Sequence, residues 1–256
     1  MLINRCVIVL FAIITSLATP AFAQQKQEVM LLTYHLKAPY IVNLGEQKGL
    51  YFDLATYLNN HSQHYQFKTE FMPRKRIDSL LQKPFSDVVL GVQPIWFKAF
   101  SDKVQFTVPI LQESDVFVSL SSKPITDSDL SSPNGKTFIG VQGYRYIKLE
   151  QPEKHGALSR VDTLQEDSVL DMLRLGRGDF TIISQSALQY KFAHGEIADD
   201  FYIAKQPHEQ VARRLMLSNE NRELAIELNS LLQQMLCDPI WLNTLKRYGL
   251  DQSFLP

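Results

Sequence analysis

A chain of 256 residues with 26 basic and 27 acidic side chains carries a formal net charge of −1. That balance excludes the strongly basic surface by which a protein holds nucleic acid, although Pro73-Arg74-Lys75-Arg76 is locally basic. The length is enough for one large domain or two lobes, each with a core of its own.

Residues 1–23 read as an export signal. Arg5 supplies the positive end, residues 7–14 (VIVLFAII) form a short apolar run, and Ala21-Phe22-Ala23 gives the small-x-small pattern of a cleavage site. The run is shorter than the roughly 20 residues that cross a bilayer. Cys6 precedes the apolar run, so a lipid anchor is not expected. The mature chain is therefore expected to begin near Gln24, in the periplasm, with Cys237 as its single cysteine. No intramolecular disulfide is then possible. The neighbours Met235, Leu236 and Ile240 predict a buried, inert thiol at Cys237.

Strand-like and helix-like segments alternate along the rest of the chain. Residues 29–34 read as a strand broken by Pro39-Tyr40, and 49–60 (GLYFDLATYLNN) as a helix with Leu50, Leu54, Tyr57 and Leu58 on one face. A second strand is expected over 65–71. Pro73 then opens a helix, in whose first turn a missing N–H costs nothing. Residues 87–92 (DVVLGV) read as a short buried strand. Strand 138–141, helix 166–175 closed by Gly176, and strand 179–184 (DFTIIS) repeat the pattern. Helices over 223–236 and 238–248, the latter with Pro239 in its first turn, end the chain. Such alternation predicts an α/β fold with mixed, largely parallel sheets. The polar stretches 121–135 and 204–209 divide it into an outer lobe (24–118 and 209–256) and an inserted lobe (119–208), with the chain crossing twice.

Five segments in order resemble the type 2 periplasmic solute-binding proteins of the amino-acid-binding kind, bacterial family 3. They are APYIV…GLYFDLATYL, SDVVLGV…SDKVQFTVPI, TFIGVQG, MLRLGRGDFTII and WLNTLKRYGL. The resemblance runs from about Glu28 to Leu250. It implies two Rossmann-like lobes around a double-crossover hinge, with a small ligand bound between them. Two departures bear on the ligand. The family's carboxylate-gripping arginine falls six residues before Phe106, where this chain has Phe100, and its amine-binding aspartate falls where this chain has Ser184. An ordinary α-amino acid is therefore not the expected ligand.

The candidate ligand-binding residues lie where the fold places its cleft, after strand C-termini. Tyr40 follows the first strand, where the resemblance implies an aromatic wall. Trp96 and Phe97 follow strand 87–92 and either stack on a planar ligand or pack into the first lobe. Arg76, like Arg74, opposes the dipole at a helix start and either meets an anion or pairs with Glu70 or Asp78. Tyr144 and Arg145 occupy the slots where the resemblance implies hydroxyls facing a ligand carboxylate. Arg145 either takes over the anion-binding role or stacks on tyrosine near the hinge. Ser184 and Gln185 would add neutral hydrogen bonds.

Asp179 is expected to serve its turn structurally, and His61 and His64 to lie in a solvated turn, since no third metal ligand of matching spacing follows. No Gly-x-Ser-x-Gly elbow or phosphate loop occurs, and no cofactor or metal is expected. The sequence thus predicts a monomeric, non-enzymatic binding protein for a small polar or anionic ligand, working with an inner-membrane permease or a membrane sensor. An orphan sensor subunit is one alternative. A dehydratase-like enzyme is another, and it would need a cleft carboxylate with a raised pKa, for which Glu113 and Asp115 are the candidates.

Overall fold

The computed structural model describes residues 25–256, so the signal expected over 1–23 lies outside the described residues. Among the described residues, ten strands and eight α-helices follow one another in the order β1 (Gln27–Thr33), α1 (Leu50–His61), β2 (Tyr65–Phe71), α2 (Arg74–Leu80), β3 (Val88–Val92), β4 (Val104–Phe106), β5 (Leu111–Leu120), α3 (Asp127–Ser131), β6 (Lys136–Val141), α4 (Glu150–Lys154), β7 (Leu158–Thr163), α5 (Val169–Arg174), β8 (Phe180–Ser184), α6 (Gln185–Ala193), β9 (Phe201–Ile203), β10 (Glu209–Ser218), α7 (Arg222–Leu236) and α8 (Pro239–Arg247). The strands join in the order β2-β1-β3-β10-β5-β8-β6-β7, with β4 on β10 and β9 on β5.

Parallel pairing is confined to the two flanks, β2-β1-β3 and β8-β6-β7. The centre is antiparallel, because β5 and β10 are the two segments that cross between the flanks in opposite directions. Residues 111–115 of β5 pair with 209–213 of β10. Beyond that point each strand changes neighbours: β5 continues along β8 and β9, and β10 along β3 and β4.

The cores divide at the same place. One flank is closed by two apolar clusters that draw on residues 29–111 and 215–254 and include Leu54, Val88, Leu228 and Trp241. The other is closed by clusters drawn from 116–204, including Val118, Ile139, Leu170 and Phe180. Helix α1 buries Leu50, Tyr51, Leu54, Tyr57 and Leu58 at the spacing the sequence predicts. Gly49 starts it at φ 139°, and a Cβ there would strike the Tyr40 carbonyl, so helix and Tyr40 segment lie in direct contact.

Two differences from the sequence reading have simple causes. The helix expected over 166–175 is a 3-10 turn, Glu166–Ser168, followed by α5, because Glu166 is pulled inward by an ion pair described below. Cys237 is exposed: it caps α7 two residues past buried Met235, which turns it to the opposite side of the helix. Asp179 does serve its turn, accepting the Thr137 N–H at 2.7 Å and pairing with Lys123.

Candidate functional site

Polar side chains converge where β5 and β10 cross. Alternation along β10 aims Val211, Arg213, Leu215 and Leu217 inward, so an arginine holds a core position with only 2 % of its surface exposed. Its Nε donates to Glu113 Oε1, and its Nη1 donates to the Gly91 carbonyl at 3.0 Å. Glu113 in turn accepts the Tyr40 hydroxyl, and its Oε2 accepts the Ser186 N–H at the start of α6 at 2.9 Å. The Tyr40 oxygen lies 2.6 Å from Ser186 Oγ. Elements of both lobes are thus tied to one carboxylate. Burial pushes the Glu113 carboxyl up, but Arg213, Ser186 and Tyr40 together hold it below the usual carboxylate range.

Aromatic rings surround this pair. Arg213 Cζ lies 4.5 Å from the Tyr40 ring centre and 5.8 Å from that of Trp96. Tyr40 stacks on Tyr51 at 4.9 Å, and His35 packs between Tyr34, Tyr40 and Trp96. Burial, with Arg213, Lys37 and Arg74 close by, lowers the His35 pKa well below that of an ordinary histidine, so the ring is neutral at pH 7. Gly91 has φ +68°, and any Cβ there would overlap the Tyr51 hydroxyl. Only glycine lets the strand end, Tyr51 and Arg213 meet.

A second buried ion pair spans the lobes. Lys37, just after β1, reaches Glu166, just before α5, with Nζ 2.7 Å from Oε2 and 2.9 Å from Oε1. Both side chains are nearly fully covered. Burial alone pulls the Lys37 pKa down, but the Glu166 carboxylate outweighs it and the lysine stays charged.

The sequence-predicted residues fall into two groups. Tyr40 is fully buried in the crossing, Trp96 is half-buried beside His35 and Arg213, and Tyr144 is half-buried close to Lys37 and Glu166. Ser184 is buried at the end of β8, and Gln185 is half-buried as the first residue of α6. Phe97 is not an open wall. It lies in the first lobe's core with Arg74 stacked over it at 3.9 Å, and full burial of such a ring is worth about 1.5–3 kcal/mol. Arg74 also donates to Asp78 and to the Trp96 carbonyl.

Arg76 and Arg145 do not join the crossing. Arg76 is exposed on α2. Arg145 keeps 79 % of its side chain in solvent and pairs with Glu150 at 2.8 Å. The arginine–tyrosine stack next to this turn is made by another residue: Arg160 lies over Tyr146 at 5.2 Å and donates to the Val141 and Tyr144 carbonyls. Tyr146 is the buried anchor of the turn, its oxygen accepting the Val141 N–H at 3.0 Å, and this leaves Arg145 to point outward.

Sequence reasoning did not single out His35, Lys37, Glu166, Ser186 or Arg213. A signal existed in β10, where Arg213 interrupts an alternation of apolar residues, and in β5, where Glu113 and Asp115 do the same. Among the described residues no group of three histidines, cysteines or acids is placed to hold a metal ion, and no helix is long and apolar enough to cross a membrane.

Two α/β lobes built on flanking parallel strands and joined by a pair of antiparallel crossing strands define the type 2 periplasmic-binding-protein fold. The sequence matches no protein-family model and no curated protein. Solved structures do match. A putative L-cystine ABC transporter from Listeria monocytogenes superimposes with a TM-score of 0.69 at 16% identity, over 90% of this chain and 98% of that one. An ancestral arginine-binding protein bound to arginine gives 0.68 at 15% identity, over 87% and 98%. The BvgS VFT2 domain from Bordetella pertussis, as a double mutant, gives 0.64 at 17% identity, over 86% and 93%. At these identities the likeness establishes the fold.

Proposed function

We propose that this chain is a periplasmic solute-binding protein of the amino-acid-binding kind. It traps a small polar or anionic ligand where its lobes meet and presents the closed form to an inner-membrane importer or a membrane sensor. The observation that carries this is the Lys37–Glu166 pair. A buried contact between charged side chains of opposite lobes makes closure depend on electrostatics at the crossing, the place where a ligand's polar groups would compete. The matched fold supports the same reading, since its solved examples include a putative ABC transporter component and a protein bound to arginine. The lobe division follows the two crossing segments, with the change of core taken near Asp115 and near Glu209. The site comprises Tyr40, Trp96, Tyr144, Ser184 and Gln185 together with Lys37, Glu166 and Arg213. The protein works as a monomer after removal of residues 1–23.

The test is a thermal-shift screen of small polar compounds, followed by small-angle scattering with each compound that stabilises the protein. A ligand that raises Tm and lowers the radius of gyration supports trapping. One that raises Tm with no change in radius counts against it.

One observation favours a second reading, an acid–base enzyme on this fold. Burial raises the Asp115 carboxyl to a pKa of about 6, the range a general acid or base needs. Turnover of a bound compound, lost in Asp115→Asn, would establish that reading over simple binding.

A further inference from the structure

The sheet of the first lobe ends in an unpaired edge. Strand β4 pairs with β10 alone, in the register Val104↔Ser218, Gln105↔Leu217 and Phe106↔Met216. At its two ends the Thr107 N–H donates to the Leu215 carbonyl and the Asn219 N–H to the Lys103 carbonyl, so the odd-numbered residues face β10. Alternate residues of an antiparallel ladder turn their backbone groups to opposite sides. Val104 and Phe106 therefore present N–H and C=O groups outward, and no second strand pairs with them among the described residues. The next outward donor, the Val108 N–H, is taken by Asn229 Oδ1 of α7 at 2.7 Å.

Helix α7 turns one stripe toward this edge. Arg222, Ala225, Ile226 and Asn229 recur at the i, i+3, i+4, i+7 spacing of a single helix face, and with Gln105 and Asn219 they line a groove of about 550 Å³. Ile226 keeps 71 % of its surface exposed there. Gln105, Asn219 and Asn229 donate their amide N–H groups to the carbonyls of Ser218, Asp102 and Ala225. Arg222 is exposed, and its guanidinium takes no hydrogen bond or ion pair among the described residues. Glu223 lies one residue round the helix, outside the stripe. The groove thus joins an open strand edge, an exposed isoleucine and one uncommitted positive charge.

We propose that this groove binds an extended, acidic segment of a partner protein, which adds to β4 as a further strand and points a carboxylate at Arg222. Edge addition supplies up to four backbone hydrogen bonds with Val104 and Phe106, while alternate side chains enter the groove and set specificity. The residue placed opposite Gln105 projects from the same face of the sheet as Gln105, toward α7. A carboxylate there meets the guanidinium in a charge-assisted, bidentate pair. The side chain two residues along shares that face and covers Ile226. A basic segment would instead bring a like charge to Arg222. The groove lies at the far end of β10 from residues 209–213, which form the crossing, so the inference goes beyond the ligand reading and does not depend on it.

The test titrates the mature chain near neutral pH with the acetylated, amidated pentapeptide TVEVT and its counterparts TVQVT and TVKVT. Binding is followed by NMR and by amide hydrogen exchange. TVEVT is expected to bind with a Kd of about 1 mM or tighter and to slow exchange at Val104 and Phe106. It should exceed TVQVT by about fivefold and TVKVT by more. Arg222→Ala should weaken TVEVT by about fivefold, with Tm unchanged because the side chain is exposed. N-methylation of one alternate set of peptide residues should abolish binding, since their N–H groups face β4, and N-methylation of the other set should leave it within about twofold. No binding by TVEVT, equal binding of TVKVT, unchanged binding to Arg222→Ala, or equal effects of the two methylation patterns overturns the proposal. So does a dimer of the chain that dissociates in Arg222→Glu, because the occupant of the groove is then a second copy.

Discussion

Lys37 Nζ lies 2.7 Å from Glu166 Oε2, and the two residues belong to opposite lobes, 129 positions apart in the chain. Removing one member of a buried pair strands a charge away from water, at a cost of about 3–5 kcal/mol if nothing moves. Here the protein has a cheaper response, because parting the lobes hydrates the stranded group. Lys37→Met and Glu166→Gln should therefore each enlarge the radius of gyration of the ligand-bound protein in small-angle scattering, with a smaller loss of stability than that figure. The Lys37→Met/Glu166→Gln double variant should be more stable than the two single losses would sum to. A closed, wild-type radius in both single variants would show that the pair does not hold the lobes together.

Arg213 and Glu113 have no such escape, since both lie beneath the crossing with at most 2 % of either side chain exposed. Arg213→Met should cost about 3–5 kcal/mol in urea unfolding, the full penalty for leaving a carboxylate buried alone. The pH dependence has a definite sign. Because the Glu113 carboxyl is held below its usual range in the fold, its contribution is complete at neutral pH and is lost as pH falls through that lowered value. Glu113→Gln should accordingly unfold with a shallower loss of stability on the acid side than wild type.

His208 poses the opposite case. It is buried against Phe117 and Tyr146, and both ring nitrogens lack partners. Burial, with Lys148 adding to it, lowers its pKa to about 4. An unfolded histidine titrates near 6.5. Between these values the unfolded chain binds a proton that the folded chain excludes, so stability should fall as pH drops from about 6.5 toward 4. His208→Leu removes two unsatisfied nitrogens and should be within about 1 kcal/mol of wild type at pH 7.5. Its Tm should also decline less between pH 6.5 and 4.5. An identical decline in both proteins would show that His208 is hydrated.

The flanks of this fold were legible because their residues obey local rules. Leu50, Leu54 and Leu58 recur at helical spacing, 88–92 is an unbroken apolar run, and Gly176 at φ +65° stops α5 as a glycine should. The crossing strands were not legible, because their inward positions carry Glu113, Asp115 and Arg213 where the pattern asks for apolar residues. Those charges make sense only with their partners, and Arg213 lies 100 positions from Glu113. Local periodicity carries no information over such distances. Tyr40 was legible as the residue that follows the first strand, because the Pro39 turn marks the strand end, and it lies buried in the crossing. Arg145 was misleading for the converse reason: its type suited a site, but the anchoring of Tyr146 decides which way the turn points.

Arg145 has 79 % of its side chain in solvent, and its pair with Glu150 is of the exposed kind that contributes about 0–1 kcal/mol. Arg145→Ala should therefore change stability by less than about 1 kcal/mol and leave the affinity of any ligand found by the thermal-shift screen unaltered. Arg160 behaves differently, since it stacks on Tyr146, donates to two backbone carbonyls of the turn and pairs with Asp162. Arg160→Ala takes a donor from both carbonyls and uncovers the ring face at once, and it should loosen residues 141–146, seen as faster amide hydrogen exchange there than in wild type. Tyr144 shares the turn and lies close to Lys37 and Glu166, so the same change should also weaken ligand binding. If Arg145→Ala instead abolishes binding while Arg160→Ala does not, the turn must rotate on closure and carry Arg145 into the cleft.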